Sequence, residues 1–447
     1  MSKIKFDDIN KYAKKTDSFP ASRALRRAIS QNGIAKASQD NKSVVNSNPI
    51  FSIEVNTGKV TDQKQSGRCW IYAGLNTLRF QVSKNYNLPD GFELSQGYIF
   101  FWDKLERGNW FYNNVIKTAK KELDSRKVAF LFHEPQGDGG QWDLICSIIE
   151  KYGAVPKSAF PETYDTEHSG NFNSVYNHKL RKDGLILREL VSKKASKEAL
   201  DKQISKFNNQ NYRILSLSFG DPKTVDHFNF EYKDKQKNYH IENKLTPKTF
   251  YKKFVRLNLE DYVSIINAPT KDKPFHKTYT VEFLGNIVGG RSVKHLNVKL
   301  AEYKDLIIKQ LKQGEPVWFG VEIGPQTDSN KGIMDLSTFA SDDAYGINSS
   351  MNKGQQLSSW DSAMNHAMVI TGVDLNTDNK PIRWKVENSW GEKPGHKGYF
   401  VMSDDWLDLY AYQAVINKKY LSKDLRKVQE KSTPIVLKPW DPIGTLA

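Results

Sequence analysis

The stretch Gln63-Lys-Gln-Ser-Gly-Arg-Cys69-Trp70 decides how this chain is read, because it sets one of only two cysteines at the start of a predicted helix. Beyond Cys69 the run Trp-Ile-Tyr-Ala-Gly-Leu-Asn-Thr-Leu-Arg carries apolar residues at helical spacing as far as Arg79. Gly67 suits the turn that precedes it. A cysteine at a helix start meets the positive end of the helix dipole, which favours the nucleophilic thiolate over the thiol. A lone cysteine reads more readily as a small buried hydrophobe. The rest of the chain decides between these readings.

At 447 residues the chain exceeds the usual single core, so two or more subdomains are expected. Hydrophobic residues at 38% and aromatics at 12% suffice for packed cores and exclude a disordered chain. The opening Met-Ser-Lys-Ile-Lys-Phe-Asp-Asp is acidic where a signal peptide is apolar, and no run reaches the length of a membrane span. With Cys146 as the only other cysteine, a disulfide framework is excluded and a reducing cytoplasm is the expected compartment. No metal cluster or phosphate loop is evident, so no cofactor is expected.

The net charge of +15 is unevenly placed. Residues 1–60 hold 11 basic and 5 acidic side chains, residues 171–310 hold 27 and 15, and the remainder is slightly acidic. The basic character belongs to an N-terminal arm and a middle block. A solvated face explains it most simply, although nucleic acid is a conceivable partner. No recognised nucleic-acid module is present.

Residues 1–60 read as a helical arm and connector, and residues 61–170 as a mainly helical lobe that ends in a segment from Gln141 to Tyr152 closed by Gly153. Residues 171–310 alternate charged helices with short strands, including a helix from Thr246-Pro247 to about Leu257. From Pro316 the pattern becomes β, with strands at Val317–Ile323, Ala367–Val373, Arg383–Glu387 and Gly398–Met402. The fold class is therefore α+β, with a helical half that carries the nucleophile and a β half across a cleft.

A thiolate nucleophile needs a base that also protonates the leaving group, and imidazole suits both roles. Of nine histidines, His366 stands out because it opens the apolar strand Ala367–Val373. Twenty-two residues on comes Lys385-Val-Glu-Asn388-Ser-Trp390-Gly391. The Asn388 amide can orient the ring, and Trp390 can shield that hydrogen bond from water. The other eight histidines have no comparable context and read as surface or structural residues.

Taken together, Gln63 six residues before Cys69, Trp70 after it and Asn-Ser-Trp-Gly after the histidine strand resemble papain-like cysteine peptidases. The form Gln-Lys-Gln-Ser-Gly-Arg-Cys-Trp with its large middle block is similar to the bleomycin hydrolase and aminopeptidase C branch. The resemblance implies a two-lobed papain-like fold, helical and β-barrel-like, with residues 171–310 inserted between residues 61–170 and 311–430. Cys69 and His366 lie 297 residues apart, against about 130–150 in the papain pattern. It also implies Cys69, His366 and Asn388 as the catalytic set, with the Gln63 side chain and the Cys69 N–H as oxyanion donors. Gly139 and Gly140, in Gln136-Gly-Asp-Gly-Gly140, would bind extended substrate, and Trp390 and Ala447 complete the substrate-binding set. Both segments lack the cysteines that join them in secreted relatives.

The chain ends Thr433-Pro-Ile-Val-Leu-Lys-Pro-Trp-Asp-Pro-Ile-Gly-Thr-Leu-Ala447, too apolar for a solvated tail. By the resemblance, residues 431–447 form an arm in the cleft whose Ala447 carboxylate meets the free amine of a peptide substrate. The resemblance implies a cytoplasmic cysteine aminopeptidase acting on peptides, assembled as a homohexamer with no membrane partner. The alternatives are an endopeptidase on the same scaffold and a basic nucleic-acid-binding protein with secondary peptidase activity.

Overall fold

The helix expected after Gly67 begins at Cys69 and runs to Tyr86. Its first three turns are buried on nearly every side, so it is a core helix with lobes packed around it. The computed structural model describes residues 1–445. Against this helix lie Gln96–Thr118 and Trp142–Tyr152, and Arg126–His133 packs on Gln96–Thr118. The last ends at Gly153, in the left-handed half of backbone space at φ 79°, as its place after the periodic run predicts.

The other lobe is a mixed sheet in which Tyr262–Ile266, Ala411–Asn417, Val317–Val321, His366–Leu375, Pro381–Glu387 and Tyr399–Ser403 lie side by side in that order. Period-2 alternation divides its side chains between two cores. Trp318, Ala367 and Val369 face the helical lobe, while Val317, Phe319, Met368 and Ile370 face a second core behind the sheet. The helix Leu300–Lys312 covers that rear core with Tyr303, Leu306, Ile307 and Leu311.

The basic block at residues 171–310 is shared between the lobes, which differs from a single insertion. Its helices Ser169–Ser192 and Lys197–Phe219 pack on Gln96–Thr118, with Phe219 stacked on Phe100 at 5.0 Å. Strands Tyr262–Ile266 and His295–Asn297, by contrast, pair in parallel within the main sheet. Surface lysines set the charge of the block, whereas the inward residues Ile265 and Leu296 decide which lobe it joins. The helix expected from Thr246 is a short α turn, Pro247–Phe250, continued as a π turn, Tyr251–Val255, and ended by Arg256 at φ 57°. Phe250 and Phe254 stack there at 5.0 Å and anchor the hairpin residue Phe230.

The N-terminal helices Phe6–Ser18 and Ser22–Ala37 bury none of their residues. Ile4, Phe6, Ile9 and Tyr12 are all exposed.

One buried ion pair ties the lobes together. Glu387 Oε1 accepts from Arg79 Nη2 at 2.7 Å and from Asn76 Nδ2 at 2.8 Å. Both donors lie on the helix Cys69–Tyr86, and the side chains of the ion pair are 3% and 0% exposed. Removing one partner of such a pair strands a buried charge, at a cost of about 3–5 kcal/mol. Glu387→Ala is therefore expected to lose stability of that order in urea denaturation, and Arg79→Met with Glu387→Met to recover most of it. A loss under about 1 kcal/mol for the single variant, the range of an exposed pair, would show that the pair does not lock the lobes.

Candidate active site

Three segments meet between the lobes: the turn before Cys69, the start of the strand His366–Leu375 and the loop after the strand Pro381–Glu387. Backbone pairing joins the first and last. Asp62 bridges Trp390, the Gln63 N–H donates to Ser389 O at 2.8 Å, and the Gly391 N–H donates to Thr61 O at 3.0 Å. Cys69 and His366 are both buried, and the backbone amide of Ala367, next to His366, is near enough to the Cys69 thiol to favour its charged form. The structure thus brings the thiol to the histidine from across the lobe interface.

His366 Nε2 lies 2.9 Å from Asn388 Oδ1. The same oxygen accepts the Ser389 N–H at 2.8 Å, which holds the amide in place. An acceptor at Nε2 assigns the proton to that nitrogen and leaves Nδ1 as the basic site. The Trp390 ring centroid is 4.9 Å from the imidazole, and the indole packs edge-on against Phe400 behind it. Trp390 therefore shields the histidine–asparagine bond. The resemblance groups it with the substrate-binding residues, and the contacts it makes here are to the His366 and Phe400 rings.

Gln63 is buried and held at both ends of its amide. Its Oε1 accepts from Ser389 Oγ at 2.7 Å and its Nε2 donates to Ser66 O at 2.7 Å. An amide nitrogen has two protons, so the second Nε2 proton remains for an oxyanion.

Burial opposes the helix dipole at Cys69. Desolvation pushes the thiol up from 9.0 to about 11, although backbone amides of Ala367, Trp70 and Cys69 pull it down. At 1.36 kcal/mol per pKa unit this is roughly 3 kcal/mol, whereas a helix start contributes about 0.3–1 kcal/mol. Desolvation likewise pushes His366 down from 6.5 to about 4, against the opposing Asn388 hydrogen bond. Burial thus works against charge on either group, while the helix start and the backbone amides around Cys69 work in favour of the thiolate. Cys146 is fully buried, and desolvation raises its thiol well above the ordinary value.

Gly139 and Gly140 have different surroundings. Gly139 lines a cavity of about 780 Å³, and its carbonyl accepts from Arg107 Nη2 at 2.6 Å. Gly140 lies against Trp70, and a Cβ there would come within 2.4 Å of the indole, so only glycine fits. Met364 and Asn365, just before His366, line the same cavity together with Trp440, Gly444 and Thr445 of the tail.

The tail is fastened along its length. Ile435–Leu437 pairs in parallel with Thr278–Val281. The Trp440 ring lies 3.8 Å from the Arg126 guanidinium, and Asp441 pairs with the buried Lys273 at 2.9 Å. Thr445 O accepts from Gln141 Nε2 at 2.8 Å, one residue beyond the glycine pair. Ala447, expected to present its carboxylate in the cleft, lies outside the described residues.

Four polar residues around the site escaped the sequence reading. Ser389 and Asp138 sit inside the motifs themselves, where a hydroxyl and a carboxylate between functional residues were the available signal. Lys104 and Arg107 had none, because on a long helix they look like solvated cations. His295 is fully buried, bonded through Nδ1 to Ser264 Oγ at 2.7 Å, and desolvation lowers it to about 4. It is a core histidine of the sheet.

The peptidase C1-like family model matches residues 3–444. The chain is 51% identical over 446 residues to aminopeptidase C of Lactobacillus helveticus, covering 99% of this chain and 98% of that protein. It is 43% identical over 395 residues to bleomycin hydrolase of Gallus gallus, with 87% and 86% covered. The crystal structure of PepW from Lactobacillus rhamnosis superposes with a TM-score of 0.98 at 51% identity, covering all of both chains.

The geometry distinguishes the two thiols. Cys69→Ala is expected to abolish Cys69-dependent hydrolysis, and Cys146→Ala to leave it largely intact. His366→Ala is expected to cost about 100–10,000-fold in turnover, the range of general acid–base catalysis. Peptide mapping after brief alkylation of native protein should find label on Cys69 only. Label on Cys146 with Cys69 untouched would overturn the assignment.

Proposed function

The chain belongs to the peptidase C1-like family, and we propose that it acts as a cysteine aminopeptidase that removes N-terminal residues from oligopeptides through a thioester on Cys69. The observation that carries the nucleophile and base is the meeting of Cys69, His366 and Asn388 across the lobe interface. As the Cys69 sulfur attacks the peptide carbonyl, its proton passes to His366 Nδ1. The carbonyl oxygen becomes an oxyanion, met by the free proton of Gln63 Nε2 and by the Cys69 N–H. The bond to nitrogen then breaks, with the proton going from His366 to the departing amine. Water replaces that amine, gives one proton to His366 and attacks the thioester carbonyl, and the sulfur leaves and is reprotonated.

Cleavage at the amino terminus is supported by the course of the tail. Its bond from Gln141 to Thr445 sets chain beside the glycine segment, where an extended substrate would otherwise continue. A peptide that begins at that point, with a free amine, suits a cleft occupied in this way. A free-amine fluorogenic substrate is expected to be cleaved at least about tenfold better than its N-acylated counterpart, about 1.4 kcal/mol of discrimination. Removal of residues 441–447 should narrow that ratio. Equal cleavage of both substrates by the intact chain would favour endopeptidase action.

We also infer that several copies assemble, in keeping with the hexamer implied by the sequence. The support is the arm Phe6–Ala37, whose exposed Phe6, Ile9 and Tyr12 have no core of their own. Analytical ultracentrifugation is expected to show a multimer that becomes smaller when residues 1–40 are deleted. The same mass per particle with and without the arm would remove it from the interface. Two free, buried cysteines also suit a reducing cytoplasm.

A further inference from the structure

The turn that carries the oxyanion donors and the loop segment that carries Gly139 and Gly140 come from different parts of the chain, and no covalent bond joins them. Asp138 stands between them. Its Oδ2 accepts the Gly67 N–H at 3.0 Å, two residues before the nucleophile, and also accepts from Ser169 Oγ. Its Oδ1 accepts from Lys104 Nζ at 2.8 Å and from Asn173 Nδ2 at 2.7 Å. Its backbone carbonyl accepts from Trp70 Nε1 at 2.6 Å, one residue after the nucleophile. Every one of these bonds places a donor on an acceptor of Asp138, and the Lys104 and Asp138 side chains are only 0% and 10% exposed.

Lys104 is fully engaged as well. Besides Asp138 it reaches Gly137 O at 2.9 Å, Asn173 Oδ1 at 2.8 Å and Gln136 Oε1. One turn along the same helix, Arg107 takes Gly139 O. Two cations thus hold the segment 136–139 from below, and Asp138 passes that hold to the turn above. The fit at Gly67 is close: a Cβ there would come within 2.9 Å of Asp138 Cβ.

We propose that Asp138 is a positioning residue for the reaction, setting the Gln63–Cys69 turn at its working distance from the substrate-binding glycine segment through the Gly67 N–H. The assignment rests on the peptidase reading above. Burial alone would raise the Asp138 carboxyl, but Lys104, Ser169 and Asn173 outweigh it and hold the group well below the usual carboxylate range. It therefore stays an acceptor throughout the pH range in which the protein works.

The role predicts which kinetic constant moves. Without Asp138, Arg107 still holds Gly139 O and Trp70 still holds the backbone of residue 138, so the substrate-binding segment stays in place. What loosens is the turn with Gln63 and the Cys69 N–H, whose bonds to the oxyanion form only in the transition state. Such a loss lowers kcat and leaves KM nearly unchanged. A displacement of about 1 Å can cost on the order of 100-fold, and loss of one oxyanion donor about 100–1,000-fold. Asp138 also lies close enough to Cys69 for its charge to raise the thiol. Its removal should therefore ease thiolate formation even as hydrolysis slows.

The test uses the full chain with Asp138→Ala alone, because Lys104 then keeps its bonds to Gly137 O, Asn173 Oδ1 and Gln136 Oε1 and the substrate-binding segment stays held. Three readouts are compared with wild type: the urea midpoint, kcat and KM on a free-amine peptide, and the pH dependence of Cys69 alkylation by iodoacetamide. A folded variant with kcat down about 10–100-fold, KM within about threefold and an alkylation midpoint moved to lower pH supports the assignment. A folded variant with wild-type kcat overturns it, as does a parallel loss of alkylation and hydrolysis, which would mean general collapse of the site. Should Asp138→Ala fail to fold, Asp138→Asn, whose amide carbonyl still accepts the Gly67 N–H, is measured in its place: a kcat about two- to tenfold below wild type at unchanged KM supports the role, and any other outcome overturns it. Failure of the peptidase reading itself would show separately, as wild-type protein with no Cys69-dependent cleavage.

Discussion

The carboxylate of Glu387 is the point on which the two lobes depend. Its neighbour Asn388 orients the base, while its donors Arg79 and Asn76 lie on the helix that Cys69 begins. Nucleophile and base belong to different lobes, so the site exists only where the lobes keep one relative position. Apolar packing across the interface, from Trp142 and Trp318 among others, is strong but tolerant of small slides. A buried carboxylate with two donors in fixed directions tolerates far less. The backbone pairing of Asp62 and Gln63 with Ser389 and Trp390 then carries that register to the reacting groups.

Much of the site was legible because its chemistry is concentrated in short motifs. Cys69 at a helix start, His366 opening an apolar strand and Asn388 before Trp390 could be placed from local pattern, and the fold sets these three together. The main strands were legible for a related reason, since alternation in Val317–Val321 and in Ala367–Ile370 records two faces, each with its own core. What was not legible depends on partners distant in sequence. Tyr262–Ile266 pairs with Ala411–Asn417, about 150 residues away, and nothing in its neighbourhood announces that. Lys104 looks like a surface lysine until the segment 136–138 is laid over it. Charge density marked the middle block as one unit, yet lobe membership follows inward-facing apolar residues.

The burial of the catalytic pair changes how its chemistry is understood. Burial pushes the Cys69 thiol up to about 11 and the His366 imidazole down to about 4, so it opposes charge on both. A thiolate made in advance would be the better nucleophile but costly to keep in a dry site. Once a carbonyl lies beside the oxyanion donors, negative charge moves from sulfur towards oxygen with its hydrogen bonds already in place. The tail contributes to this environment by covering one side of the cavity next to Met364 and Asn365.

Joining the nucleophile turn to the glycine segment through Asp138 has a different thermodynamic character from a covalent link. A disulfide acts largely on the unfolded chain, adding about 2–4 kcal/mol by restricting it, and needs an oxidising compartment. A buried carboxylate does nothing for the unfolded chain and costs several kcal/mol to desolvate. Four bonds to a charged acceptor, at about 1.5–3 kcal/mol each, offset that cost only if all are made together. Gly67, Lys104, Ser169 and Asn173 supply them from three separate segments of chain. The net gain in stability is therefore small, while the dependence on geometry is steep. Such an arrangement is poorly suited to strengthening a fold and well suited to fixing a distance, which is what an oxyanion site facing a substrate-binding segment requires.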